Sequence, residues 1–285
     1  MKLIDDAVKS FHDNGFLVIE EAVTPDQLAG LRADFASWIE ESRGNTAAYG
    51  ETIDGRPRFD LEPGHSSASP ALRRVSSPQE ISDAYLNVMR DNRALDMLTE
   101  IYGPNIKFNN AKVNSKLPGA ATEVKYHQDF LFEPHSNDDL AAVLIFLDDV
   151  TEQNGPLEVI PKTHRGPLFD HWHDGVFTGA VSDDIATEMR QQSVLCTGPA
   201  GTACIMHTRL LHGSTANRSA LPRTLYIVEY AAEDAVPLIV NHIPSRFEGE
   251  VVRGKATGKV RSTAFEMAIP EYPQKASFFD QQAKH

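Results

Sequence analysis

The stretch Tyr126-His127-Gln128-Asp129-Phe130 places an imidazole and a carboxylate two positions apart. Its apolar and aromatic flanks predict a strand over Val124 to Phe132. Residues i and i+2 of a strand share a face, so His127 and Asp129 would project together. A second imidazole, His212, follows in Arg209-Leu210-Leu211-His212-Gly213-Ser214. Two histidines and one carboxylate on one face of a metal leave three adjacent positions open, the donor set of non-haem Fe(II) centres. His-x-Asp alone arises by chance roughly once in a chain this rich in both residues, so the surroundings decide. His207 is a rival ligand, but it closes the apolar run Ala203-Cys204-Ile205-Met206 and reads as structural. Asp170-His171-Trp172-His173-Asp174 looks like a second metal cluster and is read instead as a loop near the pocket mouth.

The elements that must position these groups change character along the chain. Val8, Phe11 and Phe16 to Val18 suggest a short helix running into the apolar strand Gly15 to Ile19. Thr24-Pro25-Asp26-Gln27 carries a capping box with proline in the first turn, and Leu28, Leu31, Phe35 and Ile39 continue at helical spacing. Residues 44–69 are rich in Gly, Pro, Ser and Asp and read as a surface loop, with a lid as the functional alternative. Ser77-Pro78-Gln79-Glu80 reads as another capping box opening a helical region to Ile101. After Gly103-Pro104 the pattern switches to period two. Strands are expected at Ile106–Lys116, Val124–Phe132, Leu140–Leu147, Leu157–Ile160, Ser193–Leu195, Gly201–His207 and Arg223–Ala231. Many short strands between Pro/Gly turns predict a sandwich or barrel. A single domain is expected: helical support over 1–103, a β core over 104–233 and a C-terminal extension over 234–285.

Composition bounds the partners. A formal charge of −13 over 285 residues argues against nucleic acid or an anionic membrane. It leaves an anionic ligand open, because a few arginines in a pocket override the net field. The N-terminus turns acidic at once and shows no signal peptide, and no run approaches a membrane span. Two cysteines, Cys196 and Cys204, make a disulfide framework unlikely and a reducing cytoplasm the default.

An ordered series of motifs carries a family resemblance. Asn14 to Ile19 gives the Gly-Phe-x-Val-Ile strand, and Asn114 to Gly119 gives an Asn-x-Lys-Pro-Gly-like turn with Leu117 as an extra residue. His127 and Asp129 follow, then Asn154-Gly155-Pro156-Leu157. Pro161-Lys162-Thr163-His164-Arg165 comes next, with Lys162 in place of the usual glycine. His212-Gly213-Ser214 closes the series with Arg223 eleven residues beyond His212. The chain resembles the phytanoyl-CoA dioxygenase family of Fe(II)- and 2-oxoglutarate-dependent oxygenases, which includes the ectoine hydroxylases.

That resemblance implies a mainly β fold with flanking helices around a double-stranded β-helix, a jelly-roll or cupin-like core. It implies Fe(II) on His127, Asp129 and His212, and 2-oxoglutarate on Asn114, Ser214 and Arg223, with O₂ as oxidant. The planar fork of arginine suits the co-substrate's distal carboxylate better than lysine. The implied outcome is hydroxylation of an unactivated C–H with release of succinate and CO₂. Desaturation or another rearrangement on the same iron is the alternative, and a non-catalytic 2-oxoglutarate- or metal-binding protein is the other. Intact His127, Asp129, His212 and Arg223 argue against the last. Related halogenases carry a small residue at the Asp129 position, so a carboxylate there disfavours halogenation.

Substrate walls are expected from Asn110 and Lys112, on the same strand face as Asn114, and from Phe130, Phe132, Glu133, His135 and Trp172. This mixed set suits a medium-sized polar or zwitterionic metabolite. No basic cluster for the phosphates of a CoA thioester is visible in the sequence.

Overall fold

A computed structural model describes residues 2–120, 122–273 and 282. Most of the expected extension after 273 therefore lies outside the described residues. Helices α1 (Lys2–Asn14), α2 (Pro25–Ser42), α3 (Asp83–Arg90) and α4 (Arg93–Tyr102) precede most of the strands, and α5 (Asp183–Arg190) falls among them. The early strands are β1 (Phe16–Ile19), β2 (Phe59–Leu61) and β3 (Leu72–Ser76). Then come β4 (Ile106–Lys116), β5 (Val124–His127), β6 (Leu140–Phe146), β7 (Leu157–Val159), β8 (Trp172–His173) and β9 (Val176–Phe177). The last are β10 (Val194–Cys196), β11 (Ala203–His207), β12 (His212–Ser214), β13 (Arg223–Ala232) and β14 (Val251–Arg253).

The protein is mostly β, built on antiparallel sheets. The large sheet runs β1-β11-β6-β13-β4-β3-β2, with β14 also on β4, and the small sheet runs β10-β7-β12-β5. Strand β6 shows why the large sheet reads as an unbroken apolar run. Its Ala141, Val143 and Ile145 join the core shared with the helices, whereas Ala142, Leu144 and Phe146 join the core between the sheets. Both faces are covered, so alternation of polarity disappears. Strand β13 divides likewise: Tyr226, Val228 and Tyr230 face the helices, and Leu225 and Ile227 face the small sheet. The Tyr85, Tyr226 and Tyr230 hydroxyls donate to the Leu31, Tyr85 and Met89 carbonyls, so the helix layer is tied down by satisfied polar groups as well as packing.

Local signals explain the element starts. Thr24 Oγ1 accepts from Gln27 N and Gln27 Oε1 accepts from Thr24 N, the reciprocal cap that opens α2. The expected cap at Ser77 is a correction: Ser77 is left-handed with no side-chain cap, and only a short 3-10 turn follows over Pro78–Glu80. Ser82 is the effective cap, its Oγ accepting from Tyr85 N to open α3. The loop expected over 44–69 contains β2, and β3 follows it, so this segment widens the large sheet. Lys162 sits at φ +74, the left-handed region where a glycine would carry no Cβ penalty.

Candidate active site

The small sheet brings the two histidines together. β5 and β12 pair antiparallel with His127 opposite His212, and the ring centroids lie 4.2 Å apart. Gly213 permits this pairing: a Cβ there would meet the Val124 carbonyl oxygen at 2.8 Å. The strand expected through Phe132 ends at His127. Gln128 is still extended, and Asp129 opens a 3-10 turn over Asp129–Leu131. One extended residue suffices to return Asp129 to the histidine side. Its Oδ1 lies 3.3 Å from His127 Nε2 and its Oδ2 lies 3.6 Å from His212 Nε2. Buried Gln128 anchors the turn, donating to the Pro167 and Arg209 carbonyls and accepting from Phe169 N.

This donor set fits a divalent transition metal. His127 Nδ1 lies 2.8 Å from the Lys125 carbonyl oxygen and His212 Nδ1 lies 2.9 Å from that of Leu210. Those carbonyls select the Nδ1–H tautomer and leave each Nε2 lone pair facing Asp129. Burial, aided by the His127 charge, pushes His212 down to about 4, so it is neutral at neutral pH and available as a ligand. Desolvation alone would raise the Asp129 carboxyl, but His212, His127 and Lys112 outweigh it and hold the group well below the usual carboxylate range. Among the described residues, His127, Asp129 and His212 are the one His/Cys/Asp/Glu group with ligand atoms all within 4.8 Å of one another. His207 is absent from it. It packs against Phe11 and His164, and its Nδ1 accepts from Arg209 N.

A cationic corner lies in the same cavity, which both sheets line. Arg223 is paired across strands with Lys116, and both are buried. Arg223 Nε donates to the Gly155 carbonyl at 2.9 Å, which orients the guanidinium. Gly155 stands at φ +79, where a Cβ would meet the Thr215 carbonyl oxygen at 2.6 Å; close approach, not flexibility, sets the glycine of Asn154-Gly155-Pro156. Asn154 braces the same turn by donating to the Asp149 and Pro222 carbonyls. Glu229, farther along the same strand, accepts from Lys112 Nζ at 3.0 Å. Sequence reading singles out Asn114 and passes over Lys116, two residues on. Lys116 Nζ donates to Ser214 Oγ at 2.7 Å and to the Thr215 carbonyl. Burial and the neighbouring Arg223 push this ammonium down to about 6. Asn114 lines the same cavity, and its Oδ1 is buried without a hydrogen-bond partner among the described residues.

The expected substrate wall divides. Lys112 and Phe132 line the cavity, Phe132 edge-on to His127 with ring centroids 5.8 Å apart. Asn110, Phe130, Glu133, His135 and Trp172 do not line it. At a bulge in the pairing of β4 with β13, Asn109 and Asn110 both donate to Glu133 Oε2. Burial and the adjacent Glu229 raise the Glu133 carboxyl well above its ordinary value. His135 is buried beside the Glu133 carbonyl. Trp172 lies in the β8–β9 hairpin beside a second cavity and donates from Nε1 to the Ile269 carbonyl. His171, in the expected loop cluster, is buried against Phe132. Phe130 is core, packed with Leu140, Ala231 and Phe265, because the 3-10 turn breaks strand alternation. Phe130→Ala should therefore cost roughly 3–5 kcal/mol of stability in denaturant unfolding. A normal midpoint with an altered substrate KM would return Phe130 to the pocket wall.

The basic cluster not visible in the sequence forms in space: Arg56, Arg74 and Lys112 all line the cavity. They come from a loop and two strands, so no local pattern announces them.

Two histidines, a carboxylate and a buried arginine corner in one cavity define a 2-oxoglutarate-dependent non-haem iron dioxygenase, which uses Fe(II), 2-oxoglutarate and O₂. Residues 11–225 match the phytanoyl-CoA dioxygenase (PhyH) family, and the chain belongs to that family. It is 33% identical over 269 residues to a probable alpha-ketoglutarate-dependent hypophosphite dioxygenase of Stutzerimonas stutzeri, covering 93% of this chain and 91% of that one. It is 30% identical over 201 residues to an L-proline trans-4-hydroxylase of Streptomyces griseoviridis, covering 64% and 74%. Among solved structures, EctD from S. alaskensis in its apo form aligns with TM-score 0.66 at 23% identity, covering 87% of this chain and 85% of that one. No described helix is long and apolar enough to cross a membrane.

Proposed function

We propose that this dioxygenase hydroxylates an unactivated bond of a small polar metabolite, with His127, Asp129 and His212 holding iron and Asn114, Ser214, Lys116 and Arg223 holding 2-oxoglutarate. The carrying observation is the placement of a His–Asp–His triad and a buried Arg223–Lys116 corner in one cavity. The two relatives named above, a hypophosphite dioxygenase and an L-proline hydroxylase, support a small polar substrate. We read the core as a double-stranded β-helix. Strands β4, β6, β11 and β13 in the large sheet and β5, β7, β10 and β12 in the small one interleave along the chain in support of this. We take residues 1–285 as one dioxygenase domain, the helices before β4 backing the large sheet.

Iron held by His127, Asp129 and His212 would, with 2-oxoglutarate and O₂, supply the oxidising power for C–H hydroxylation, the co-substrate leaving as succinate and CO₂. The chain's residues set the geometry. Arg223, fixed by the Gly155 carbonyl, receives the distal carboxylate. Asn114 lines the pocket, where its Nδ2 can donate to the acceptor-only co-substrate, and Phe132 walls the histidines. Asp129 fills a position that a halide would otherwise need. The test is turnover of a panel of small polar metabolites, read as succinate and a product one oxygen atom heavier. Succinate without any oxygenated product, across substrates that bind, would contradict hydroxylation.

Lys116 yields a pH prediction. Its ammonium, down at about 6 in the free pocket, is largely neutral at pH 7.5. A bound carboxylate raises it, so binding takes up a proton and affinity falls as pH rises above the free value. Calorimetry at pH 7.5 in buffers of different ionisation enthalpy should show uptake of about one proton, absent in Lys116→Met. Equal uptake in both proteins would remove Lys116 from the co-substrate site.

A further inference from the structure

The described lining of the cavity holds more basic side chains than the iron and 2-oxoglutarate sites call on. Among the described lining residues, Arg56, Arg74, Lys112, Lys116 and Arg223 are basic, and Asp129 is the sole carboxylate. Lys116 and Arg223 form the co-substrate corner, which leaves Arg56, Arg74 and Lys112. On the β3–β4 ladder Arg74 faces Asn114 and Ser76 faces Lys112, so these side chains share the inner face of the large sheet. Arg74 stands two strands from Arg223, roughly 10 Å at ordinary strand spacing. One carboxylate cannot occupy both.

Among the described residues, the acids paired with or charged toward these cations, Asp129 apart, lie outside the cavity lining. Asp54 Oδ2 is 2.7 Å from Arg56 Nε, and Glu229 Oε1 is 3.0 Å from Lys112 Nζ, yet neither acid lines the cavity. Asp60, whose charge reaches Arg74, is likewise outside the lining. The described lining is therefore rich in basic groups although the molecule is acidic. Arg56 Nη2 donates to the His242 carbonyl at 2.6 Å and so ties two loops over this end of the cavity. His242 lines it too, and its Nδ1 is buried without a hydrogen-bond partner among the described residues. Burial pushes the Arg74 guanidinium down to about 10, a desolvated charge that a bound anion relieves. The His242 ring, pushed to about 3 by burial and Lys112, is neutral and can offer a ring N–H.

We propose that Arg74, Lys112, Arg56 and His242 form a seat for a compact tetrahedral oxyanion on the substrate, of the phosphonate or phosphinate class. This seat rests on the iron-centre reading above and specifies its substrate. Its donors come from β3, β4 and two separate loops, so they approach from several directions. A carboxylate is matched by a coplanar fork, whereas a tetrahedral group presents oxygens in three directions. Asp129 feels the Lys112 charge directly, so an anion held here places its substituent beside the metal ligands.

The test uses the full chain loaded anaerobically with Fe(II) and 2-oxoglutarate, titrated calorimetrically with methylphosphonate, acetate and neutral dimethyl sulfone. Methylphosphonate should bind at least about tenfold more tightly than acetate, and dimethyl sulfone should give no heat of binding. Arg74→Gln should weaken methylphosphonate by about tenfold or more while 2-oxoglutarate affinity stays within about twofold. Arg74→Lys should recover part of the loss. Circular dichroism checks the fold of both, and His242→Leu, at a less buried position, should also weaken the phosphonate. Equal phosphonate affinity in wild type, Arg74→Gln and His242→Leu would overturn the seat, as would acetate binding as tightly as phosphonate. Displacement of 2-oxoglutarate by methylphosphonate would place the anion on Arg223 and overturn it as well. Failure to bind 2-oxoglutarate before any phosphonate is added would instead sink the iron-centre reading beneath it.

Discussion

Arg223→Ala should raise the 2-oxoglutarate concentration needed for half-saturation by roughly 30- to several-thousand-fold while leaving iron content close to wild type. The guanidinium is buried, and burial pushes it down to about 10, so its charge is held at a cost that an incoming carboxylate relieves. Removing one partner of a desolvated charge pair typically costs roughly 2–5 kcal/mol. Lys116 sits opposite Arg223 on the next strand and retains some attraction for the carboxylate, which places the expected loss toward the lower end. Arg223→Lys should recover only part, because an ammonium cannot offer the two-pronged donor. Equilibrium binding of 2-oxoglutarate, with metal content measured in parallel, checks this. An unchanged binding curve would remove Arg223 from the co-substrate site. Arg218, the next arginine in sequence, is exposed, and its backbone N donates to the Gln153 carbonyl.

Asp129→Ala should show the opposite pattern: turnover falls by about a hundredfold or more as iron affinity collapses, and 2-oxoglutarate affinity falls only as a consequence. The carboxylate is the triad's only anion, and its two oxygens face the two Nε2 atoms separately. Among the described residues, the acids within electrostatic reach are already engaged, Glu229 by Lys112. Glu133 is engaged by Asn109 and Asn110, and its raised carboxyl favours the neutral form. His212→Ala should lose iron in the same way. Near-normal activity in Asp129→Ala would mean that a different carboxylate ligates the metal.

How much of this was legible in the sequence depends on whether a residue's role is set locally. His127 and Asp129 are two apart, and one extended residue between them fixes their common side whether or not the strand continues. Strand β4 was readable to the residue, over Ile106–Lys116, because turns bound it on both sides. Phe130 was misplaced because alternation assumes a strand, and a 3-10 turn three residues long was enough to bury it elsewhere. Strand β12, which carries His212, is three residues long and centred on Gly213, too short to give a period. Arg56 and Arg74 were illegible for a different reason. Their place in the cavity comes from β2 and β3 joining the edge of a sheet whose other strands lie far along the chain. Lys116 stood inside a motif that was read for Asn114 alone; the pairing of β4 with β13 that sets it against Arg223 is a tertiary fact.

The most direct test of the central claim, a metal triad and a separate arginine corner in one cavity, is an anaerobic titration followed by visible absorption. Fe(II) added to the protein with 2-oxoglutarate should produce the weak charge-transfer band of a chelated 2-oxo acid, absent when either component is withheld. Arg223→Ala should reach the same amplitude at much higher 2-oxoglutarate, and Asp129→Ala should not reach it at any concentration. A band that forms equally well in Asp129→Ala, or none in the wild-type protein with both components bound, would contradict the account.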